Sequence, residues 1–380
     1  MKVALVHDFL REYGGAERVL EVLHELYPEA PVYTAYVNLD AMGENGKRFK
    51  SWDIRPSWFQ HFPFANRLLS PFRIFGPKMF ESFDLSSYDL VISSSSATHL
   101  AKAVITKPET LHISYIHTPP RFLYGYTTSY NYKKHLLTRV GGEIINHFMR
   151  IMDFKVSQRP DILVANSKNI QKRIQKFYRR DSVVIYPPVD LSEIALKKKK
   201  EAYFLILGRL VRSKGVDIIL EACGKLGLPV KIAGTGPEMD NLKKLAAIYH
   251  IPTTSFLGWV SDSERIKLLQ DAKALIIASE DEDFGITSIE AQAAGTPVIA
   301  PASGGFLETV EDNKTGLLYG GEGMVNTNFL IEALEKFKET KLNPEDLRKN
   351  AEKFSKERFK KEMLDLVARH SKKHHSASIS

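Results

Sequence analysis

One stretch, residues 279–298 (SEDEDFGITSIEAQAAGTPV), constrains the fold of this chain more than any other. The apolar run before it, residues 274–278, has the length and composition of a buried strand. An acidic loop follows, then an alanine-rich segment that ends at Gly295, as a short helix does, and then a second strand over 296–300. This order predicts an α/β fold with a ligand site at the carboxyl ends of parallel strands.

The same stretch carries two carboxylates, Glu282 in the loop and Glu290 in the helix. Backbone N–H groups around Phe284, Gly285 and Ile286 would point outward from the helix N-terminus and favour an anion. Carboxylates for hydroxyl groups and a positive helix end for phosphate suit a sugar attached to a diphosphate. The alternative is that the acidic loop only complements the helix dipole.

A second predicted strand, residues 203–207, leads into a loop bounded by Gly208 and Gly215. Within this loop, Arg209 and Lys214 are five residues apart and could clamp successive phosphates without a metal. An ordinary surface loop with scattered charges is the alternative. Arg212 lies between them and is expected to be solvated.

Together these motifs, E-x7-E followed by AxAAGxPVIA, and GR-x4-KG, resemble the signatures of family 4 glycosyltransferases. The resemblance covers nearly the whole chain and is most specific in the second half. It implies the GT-B fold, in which two Rossmann-like domains face each other across a cleft and a C-terminal helix crosses back to the first domain. It also implies that Glu282 holds the donor sugar, Glu290 the ribose, and Arg209 with Lys214 the diphosphate.

The first half of the chain matches more loosely. Gly14 and Gly15 separate the first strand from the first helix, and glycines there serve either an ordinary turn or a phosphate. The resemblance implies that they contact the donor diphosphate. His117 ends a strand just before two prolines, and the resemblance implies that it contacts the donor sugar or the acceptor. Nearby tyrosines form an acceptor surface or simply pack: Tyr124, Tyr126, Tyr130 and Tyr132.

Other polar motifs carry weaker expectations. The resemblance implies that Val260 and Asp262 border the nucleotide base. Residues 281–283 read D-x-D, a metal motif of another transferase fold, but their position inside E-x7-E favours a metal-independent enzyme without a cofactor. The histidines near the C-terminus are expected to belong to a frayed tail rather than a metal site: His370, His374 and His375.

Length and composition set the outer bounds. The 380 residues suffice for two domains, predicted at 1–195 and 200–353, with a helix over 354–380 packing back on the first. The single cysteine, Cys223, excludes a disulfide framework, and no signal peptide or membrane-spanning run is recognised, so a cytoplasmic protein is expected. A net charge of +8 suggests an anionic partner, but no nucleic-acid-binding motif is present.

Residues 52–83 combine many aromatic side chains with arginines and lysines. A segment of this kind can lie in a membrane interface, which would put the protein at the inner face of the membrane. The competing interpretation is a set of core aromatics with solvated cations.

The resemblance implies a retaining glycosyltransferase, with a hexose moving from a nucleotide diphosphate sugar to a hydroxyl of a glycan or a polyprenyl-diphosphate-linked acceptor. GDP-mannose is the favoured donor, because residues 117–121 (HTPPR) look like those of mannosyltransferases that make surface polysaccharides. No carboxylate stands out as a nucleophile for double displacement, which favours front-face attack. The alternatives are a GT-B-shaped epimerase or phosphorylase, and a non-catalytic module that binds sugar nucleotides or membrane surfaces.

Overall fold

The structure, a computed structural model, describes residues 1–69, 71–96, 100–126, 136–251, 254–321 and 323–377. Tyr130 and Tyr132 lie outside the described residues, as do the side chains of His374 and His375. The chain divides into two compact units. The first contains the described residues up to Pro188 and those from Glu357 onward, and the second is Val189–Lys356.

The first unit is built on a parallel sheet of seven strands. They are β1 (Val3–His7), β2 (Val32–Thr34), β3 (Ile54–Pro56), β4 (Leu90–Ser95), β5 (Leu111–Ile116), β6 (Ile162–Ala165) and β7 (Val183–Val184). Their order across the sheet is β3-β2-β1-β4-β5-β6-β7. Its helices are α1 (Gly15–Leu26), α2 (Ala65–Leu68), α3 (Gly76–Glu81), α4 (Leu136–Val156) and α5 (Lys168–Tyr178). Because all paired strands run in the same direction, their carboxyl ends meet at one edge.

The second unit repeats the design with six parallel strands. They are β8 (Phe204–Leu207), β9 (Val230–Ala233), β10 (Thr254–Gly258), β11 (Ala274–Ile276), β12 (Val298–Pro301) and β13 (Gly316–Tyr319). Their order is β10-β9-β8-β11-β12-β13. The helices are α6 (Val216–Lys225), α7 (Met239–Ile248), α8 (Asp262–Asp271), α9 (Ile286–Ala293), α10 (Phe306–Thr309), α11 (Thr327–Glu339) and α12 (Pro344–Glu352). Helix α9 thus begins at Ile286, within residues 284–286, whose backbone N–H groups were predicted from the sequence to lie at a helix N-terminus.

Glycines let the backbone loops at the carboxyl end of the second sheet lie in contact. Gly208 and Gly234 follow β8 and β9 with φ of 145° and 140°. A Cβ atom on Gly234 would lie 1.9 Å from the carbonyl oxygen of Gly208, so no larger residue fits without a backbone shift. This close contact fixes the start of the loop that carries Arg209.

The last helix, α13 (Lys356–Ala377), belongs to the first unit from Glu357 onward. Its side chains Phe359, Met363, Leu366 and Val367 are buried in the same apolar cluster as residues of β1, β4 and β5. The rings of Phe359 and Tyr115 meet edge to face with centroids 5.8 Å apart. Helix α13, at the end of the chain, therefore completes the apolar core of the first unit.

The aromatic segment 52–83 is divided between core and surface. Phe59 and Phe80 are fully buried, and Trp52 stacks on His24 with centroids 3.8 Å apart. By contrast, Phe64 is 74% exposed. Trp58, Phe62 and Phe75 are exposed as well. In the part of the chain that the structure describes, no helix is both long and apolar enough to span a bilayer.

Candidate functional site

The loop after β8 and the acidic loop after β11 meet in the second unit. Lys214 Nζ lies 2.8 Å from Glu282 Oε2, which is an ion pair between two partly exposed side chains. Gly215 makes this approach possible, because its φ is 59° and a Cβ atom there would lie 2.4 Å from the carbonyl oxygen of Ala278. The two motifs that the sequence pointed to independently are therefore in direct contact.

Glu282 is held from two further directions. The Ser279 hydroxyl donates to Glu282 Oε2 over 3.0 Å. On the backbone side, the Gly305 N–H donates to the Glu282 carbonyl oxygen over 2.8 Å. Gly304, with φ of 56°, approaches so closely that a Cβ atom there would lie 2.5 Å from the same oxygen. The Glu282 carboxylate is thus fixed in position at the mouth of the acidic loop.

Lys214 and Glu282 line a concave pocket at the carboxyl end of β8 and β11. Its polar lining includes Arg209, Lys214, Glu282 and Thr287, and Gly285 lies beside them. Its floor is apolar and comes from the strand ends and from helices α6 and α10, with Ile206, Val216, Ile219, Ile276 and Phe306 among the lining residues. A pocket with two cations, one carboxylate and an apolar floor can bind a negatively charged ligand that also offers hydroxyl groups.

Helix α9 starts at the edge of this pocket. Gly285 is its N-cap with φ of 94°, and a Cβ atom there would lie 2.9 Å from the Phe306 ring. The amides of a first helical turn have no partner within the helix and carry partial positive charge. Phe284 does not face a ligand with its side chain; it is buried, and its ring contacts Phe354 edge to face.

A buried hydrogen-bond network holds α9 in place. The Ser288 hydroxyl lies 2.7 Å from the Gly285 carbonyl oxygen and 3.0 Å from Thr309 Oγ1. One turn on, Gln292 Nε2 donates to the Thr309 carbonyl over 2.8 Å, and Asn350 Nδ2 donates to Gln292 Oε1 over 2.7 Å. These buried hydrogen bonds hold α9 against α10 and α12.

Glu290 is buried on α9, and the pocket lining does not include it. Its Oε1 atom lies 2.6 Å from Arg265 NH1 in an ion pair. The Arg265 Nε and NH2 groups donate to Asp262 Oδ1 over 3.3 and 3.2 Å. Sequence reasoning missed Arg265. Its position three residues after Asp262 indicates a pairing of those two side chains but not the contact with Glu290.

Asp262 and Val260 lie where α8 begins. Ser261 caps this helix, because its hydroxyl accepts from the Glu264 N–H while the Glu264 carboxylate accepts from the Ser261 N–H. Asp262 is partly exposed and is joined to Glu290 through Arg265. Of the two residues predicted near the base, Asp262 is thus linked through Arg265 to the predicted ribose ligand Glu290, and Val260 lies two residues before Asp262.

The remaining predicted residues belong to the first unit. His117 follows β5, and its Nε2 atom lies 2.9 Å from Ser94 Oγ. Burial, assisted by the neighbouring His7, lowers the pKa of His117 to about 3, and Asp8 opposes this shift. The Gly14 N–H donates to Glu17 Oε2 over 2.8 Å, so in this structure that amide is engaged by the protein itself.

Solved structures with the same architecture identify the fold. HepE of Anabaena in complex with UDP and glucose superimposes with a TM-score of 0.70, covers 97% of this chain and 100% of its own, and is 18% identical. Sucrose-phosphate synthase of Thermosynechococcus elongatus gives a TM-score of 0.72 at 16% identity, covering 97% and 99%. The protein therefore has the GT-B glycosyltransferase fold that the sequence predicted.

Family models match both units. The model described as Glycosyltransferase Family 4 matches residues 13–193, and the one described as Glycosyl transferases group 1 matches residues 190–354. This chain belongs to the family 4, group 1 glycosyltransferases.

Relatives match over parts of their length. An uncharacterized glycosyltransferase of Methanocaldococcus jannaschii is 28% identical over 230 residues, 58% of this chain and 63% of the relative. The D-inositol 3-phosphate glycosyltransferase of Mycobacterium marinum is 31% identical over 189 residues, 44% of this chain and 40% of the relative. The chain thus spans less than two thirds of either relative.

Proposed function

We propose that this protein transfers a hexose from a nucleoside diphosphate sugar to a hydroxyl group of a glycan or of a polyprenyl-diphosphate-linked acceptor, with retention at the anomeric carbon. The observation that carries the proposal is the pocket where Arg209, Lys214 and Glu282 come together beside the first turn of α9. The two cations suit the diphosphate, and the carboxylate suits sugar hydroxyls. Glu290 is assigned to the ribose, and Val260 with Asp262 to the base.

The reaction needs charge stabilisation more than it needs a nucleophile. As the bond between the anomeric carbon and the phosphate oxygen breaks, negative charge grows on the leaving diphosphate. Arg209, Lys214 and the helix N-terminus at Gly285 would neutralise that charge. In front-face attack the acceptor oxygen bonds to the anomeric carbon, and its proton passes to the departing phosphate oxygen. The first unit is assigned His117 for the sugar and the Gly14–Gly15 turn for the diphosphate.

GDP-mannose is the favoured donor because of the HTPPR segment at residues 117–121. The test is a panel of GDP- and UDP-hexoses, UDP-glucose included because HepE is solved with UDP and glucose, with thermal shift for binding and mass analysis for transfer. Inositol phosphate joins the glycan and polyprenyl-diphosphate acceptors because of the mycobacterial relative. Transfer from a UDP-sugar and not from GDP-mannose would show that GDP-mannose is not the donor. Binding of the donor without transfer or hydrolysis would favour a non-catalytic binding module. Conversion of the sugar to another sugar on an intact nucleotide would favour an epimerase.

Two further measurements test the chemistry. The anomeric configuration of the product, read by NMR, distinguishes retention from inversion. Transfer in the presence of EDTA tests the expectation that cations of the protein, rather than a metal at residues 281–283, stabilise the diphosphate. Unchanged transfer in EDTA supports the proposal, and complete loss reverses it.

We further propose that the first unit contacts an anionic membrane surface, which would bring it to a lipid-linked acceptor. Support comes from exposed apolar side chains on α4, namely Ile144, Ile145, Phe148, Ile151 and Phe154. Trp58, Phe62, Phe64 and Phe75 add exposed aromatic rings in the same unit, and Arg67 and Lys78 are exposed in the segment that carries them. Apolar side chains that insert and cations that meet anionic headgroups are what an interfacial surface requires.

Vesicle sedimentation tests this contact. Wild-type protein should pellet with phosphatidylglycerol vesicles and not with phosphatidylcholine vesicles, and a Phe64→Ser/Phe148→Ser variant should remain in solution. The control is Leu307→Ser, which removes an equally exposed apolar side chain from the second unit and should still sediment. If both variants sediment like wild type, the assigned surface is wrong.

A further inference from the structure

A chain of hydrogen-bonded side chains links the Gly14 turn to His117 within the first unit. Glu17 accepts the Gly14 N–H on Oε2 and lies 3.3 Å from His7 Nε2 through Oε1. His7 Nδ1 lies 3.1 Å from Ser94 Oγ, and Ser94 Oγ lies 2.9 Å from His117 Nε2. Every one of these side chains is buried, and His7 and Ser94 have no exposed surface.

The sheet itself brings these residues together. His7 ends β1 and is paired in register with Ser94 on the neighbouring strand β4. On the other side of β4, the His117 N–H donates to the Ser95 carbonyl just past the end of β5. Glu17 lies in the first turn of α1, directly after the glycine turn. The chain therefore crosses three adjacent strand ends, at the edge where ligands bind in open sheets.

The partners determine where the protons lie. An ionised carboxylate only accepts, so His7 Nε2 must carry the hydrogen that faces Glu17. In the tautomer that we assign to His7, Nε2 carries the one ring hydrogen, so Nδ1 accepts from the Ser94 hydroxyl and Ser94 accepts from His117 Nε2–H. His117 is left with an unprotonated Nδ1, for which the structure gives no hydrogen-bond partner among the described residues, and the residue as a whole is 9% exposed.

We propose that Glu17, His7 and Ser94 are positioning residues that present His117 as a neutral ring whose Nδ1 atom accepts a hydrogen bond from a hydroxyl group of the substrate. The proposal rests on the role assigned to His117 under the proposed function. It adds a direction to that contact: His117 accepts and does not donate. Burial also favours the neutral form of the His117 ring, because a ring removed from water resists protonation.

The sharpest variant is Glu17→Gln, which keeps the shape of the side chain and reverses the direction of donation along the series of hydrogen bonds. The glutamine oxygen must face the Gly14 N–H, so its amide group donates to His7 Nε2. His7 Nδ1–H then donates to Ser94, Ser94 donates to His117 Nε2, and His117 Nδ1 becomes protonated. Nitrogen NMR of histidine-labelled protein separates bare from protonated ring nitrogens, and a His117→Gln sample assigns the signal.

Wild type should show a bare Nδ1 on His117, and Glu17→Gln a protonated one. A protonated Nδ1 in the wild type, or no change in Glu17→Gln, would overturn the proposal. These spectra need no donor sugar, so they test the hydrogen-bond chain even if the proposed function fails.

Kinetics give the second readout. Ser94→Ala should lower kcat for transfer by about tenfold to a hundredfold, because His117 Nε2 is left buried and unpaired. The matched control is Ser93→Ala on the same strand, which breaks the buried contact of 2.9 Å to His112 Nε2 instead and should leave kcat within about twofold. Equal losses of kcat in the two variants would reduce the chain to a structural role and overturn the proposal.

Discussion

Lys214 Nζ and Glu282 Oε2 are 2.8 Å apart in the second unit, so the residue assigned to the diphosphate and the residue assigned to the sugar neutralise each other. The pair is partly exposed, which limits what it contributes to stability. A diphosphate that binds Lys214 therefore competes with Glu282 for the ammonium group.

Glu282→Gln should leave the affinity for nucleoside diphosphate unchanged or higher, since it releases Lys214, while sugar transfer falls sharply. Lys214→Met should weaken nucleoside diphosphate binding by about tenfold to a hundredfold, the effect of losing one charge-assisted contact. Calorimetric titration with GDP and UDP measures the nucleoside diphosphate affinity of both variants, and the transfer assay measures the loss of sugar transfer. Arg212→Ala removes an exposed cation from the same loop and serves as the control. Equal weakening by Lys214→Met and Arg212→Ala would mean that only general charge matters.

Gly215 and Gly227 offer a test of the close approach between the two loops. Both have left-handed φ, 59° and 62°, but only Gly215 has a backbone atom where a Cβ would go. Gly227→Ala should cost about 1 kcal/mol in unfolding free energy, the strain alone. Gly215→Ala should cost clearly more and also weaken nucleotide binding, because the clash with Ala278 separates Lys214 from Glu282. Similar denaturant midpoints for the two variants would contradict the clash.

Arg265 should matter through Glu290. Arg265→Met leaves the Glu290 carboxylate buried without its cation, which we expect to destabilise the second unit by a few kcal/mol, at the low end of the cost of breaking a buried pair because Arg265 keeps some exposure. The double variant Arg265→Met/Glu290→Gln should recover much of that loss. A double-mutant cycle by urea unfolding measures the coupling, and additive effects would show that the 2.6 Å contact carries no energy.

Acid should destabilise the first unit through its buried histidines. Burial lowers the pKa of His112 to about 4, with Asp161 opposing and Arg180 and Arg159 assisting, whereas an unfolded histidine titrates near 6.5. Between those values the unfolded chain binds more protons, so stability is full above pH 6.5 and is lost as the pH falls toward 4, by up to about 3 kcal/mol. His112→Gln should flatten this dependence in pH-resolved urea titrations. His61→Gln, at an exposed position, should not.

The sequence was informative where a motif lies at a strand end. Parallel strands bring their carboxyl ends together, so GR-x4-KG after one strand and E-x7-E after its neighbour had to meet, and Lys214 and Glu282 do. It was uninformative where a contact depends on side-chain direction. Arg265 reaches Glu290 from a different helix, and His7 reaches Ser94 through strand register, and neither carries a local signature. The aromatic segment fitted two interpretations because neighbouring residues, such as Phe59 and Phe64, face opposite environments.

The return of α13 to the first unit has a consequence for biosynthesis. Phe359, Met363, Leu366 and Val367 pack with residues of β1, β4 and β5, which are made more than two hundred residues earlier, whereas the described residues of the second unit form one continuous segment. On the ribosome the second unit can finish folding before the first one can. A premature stop codon just after residue 356 would therefore leave the second unit complete and the first unit without the helix that completes its core.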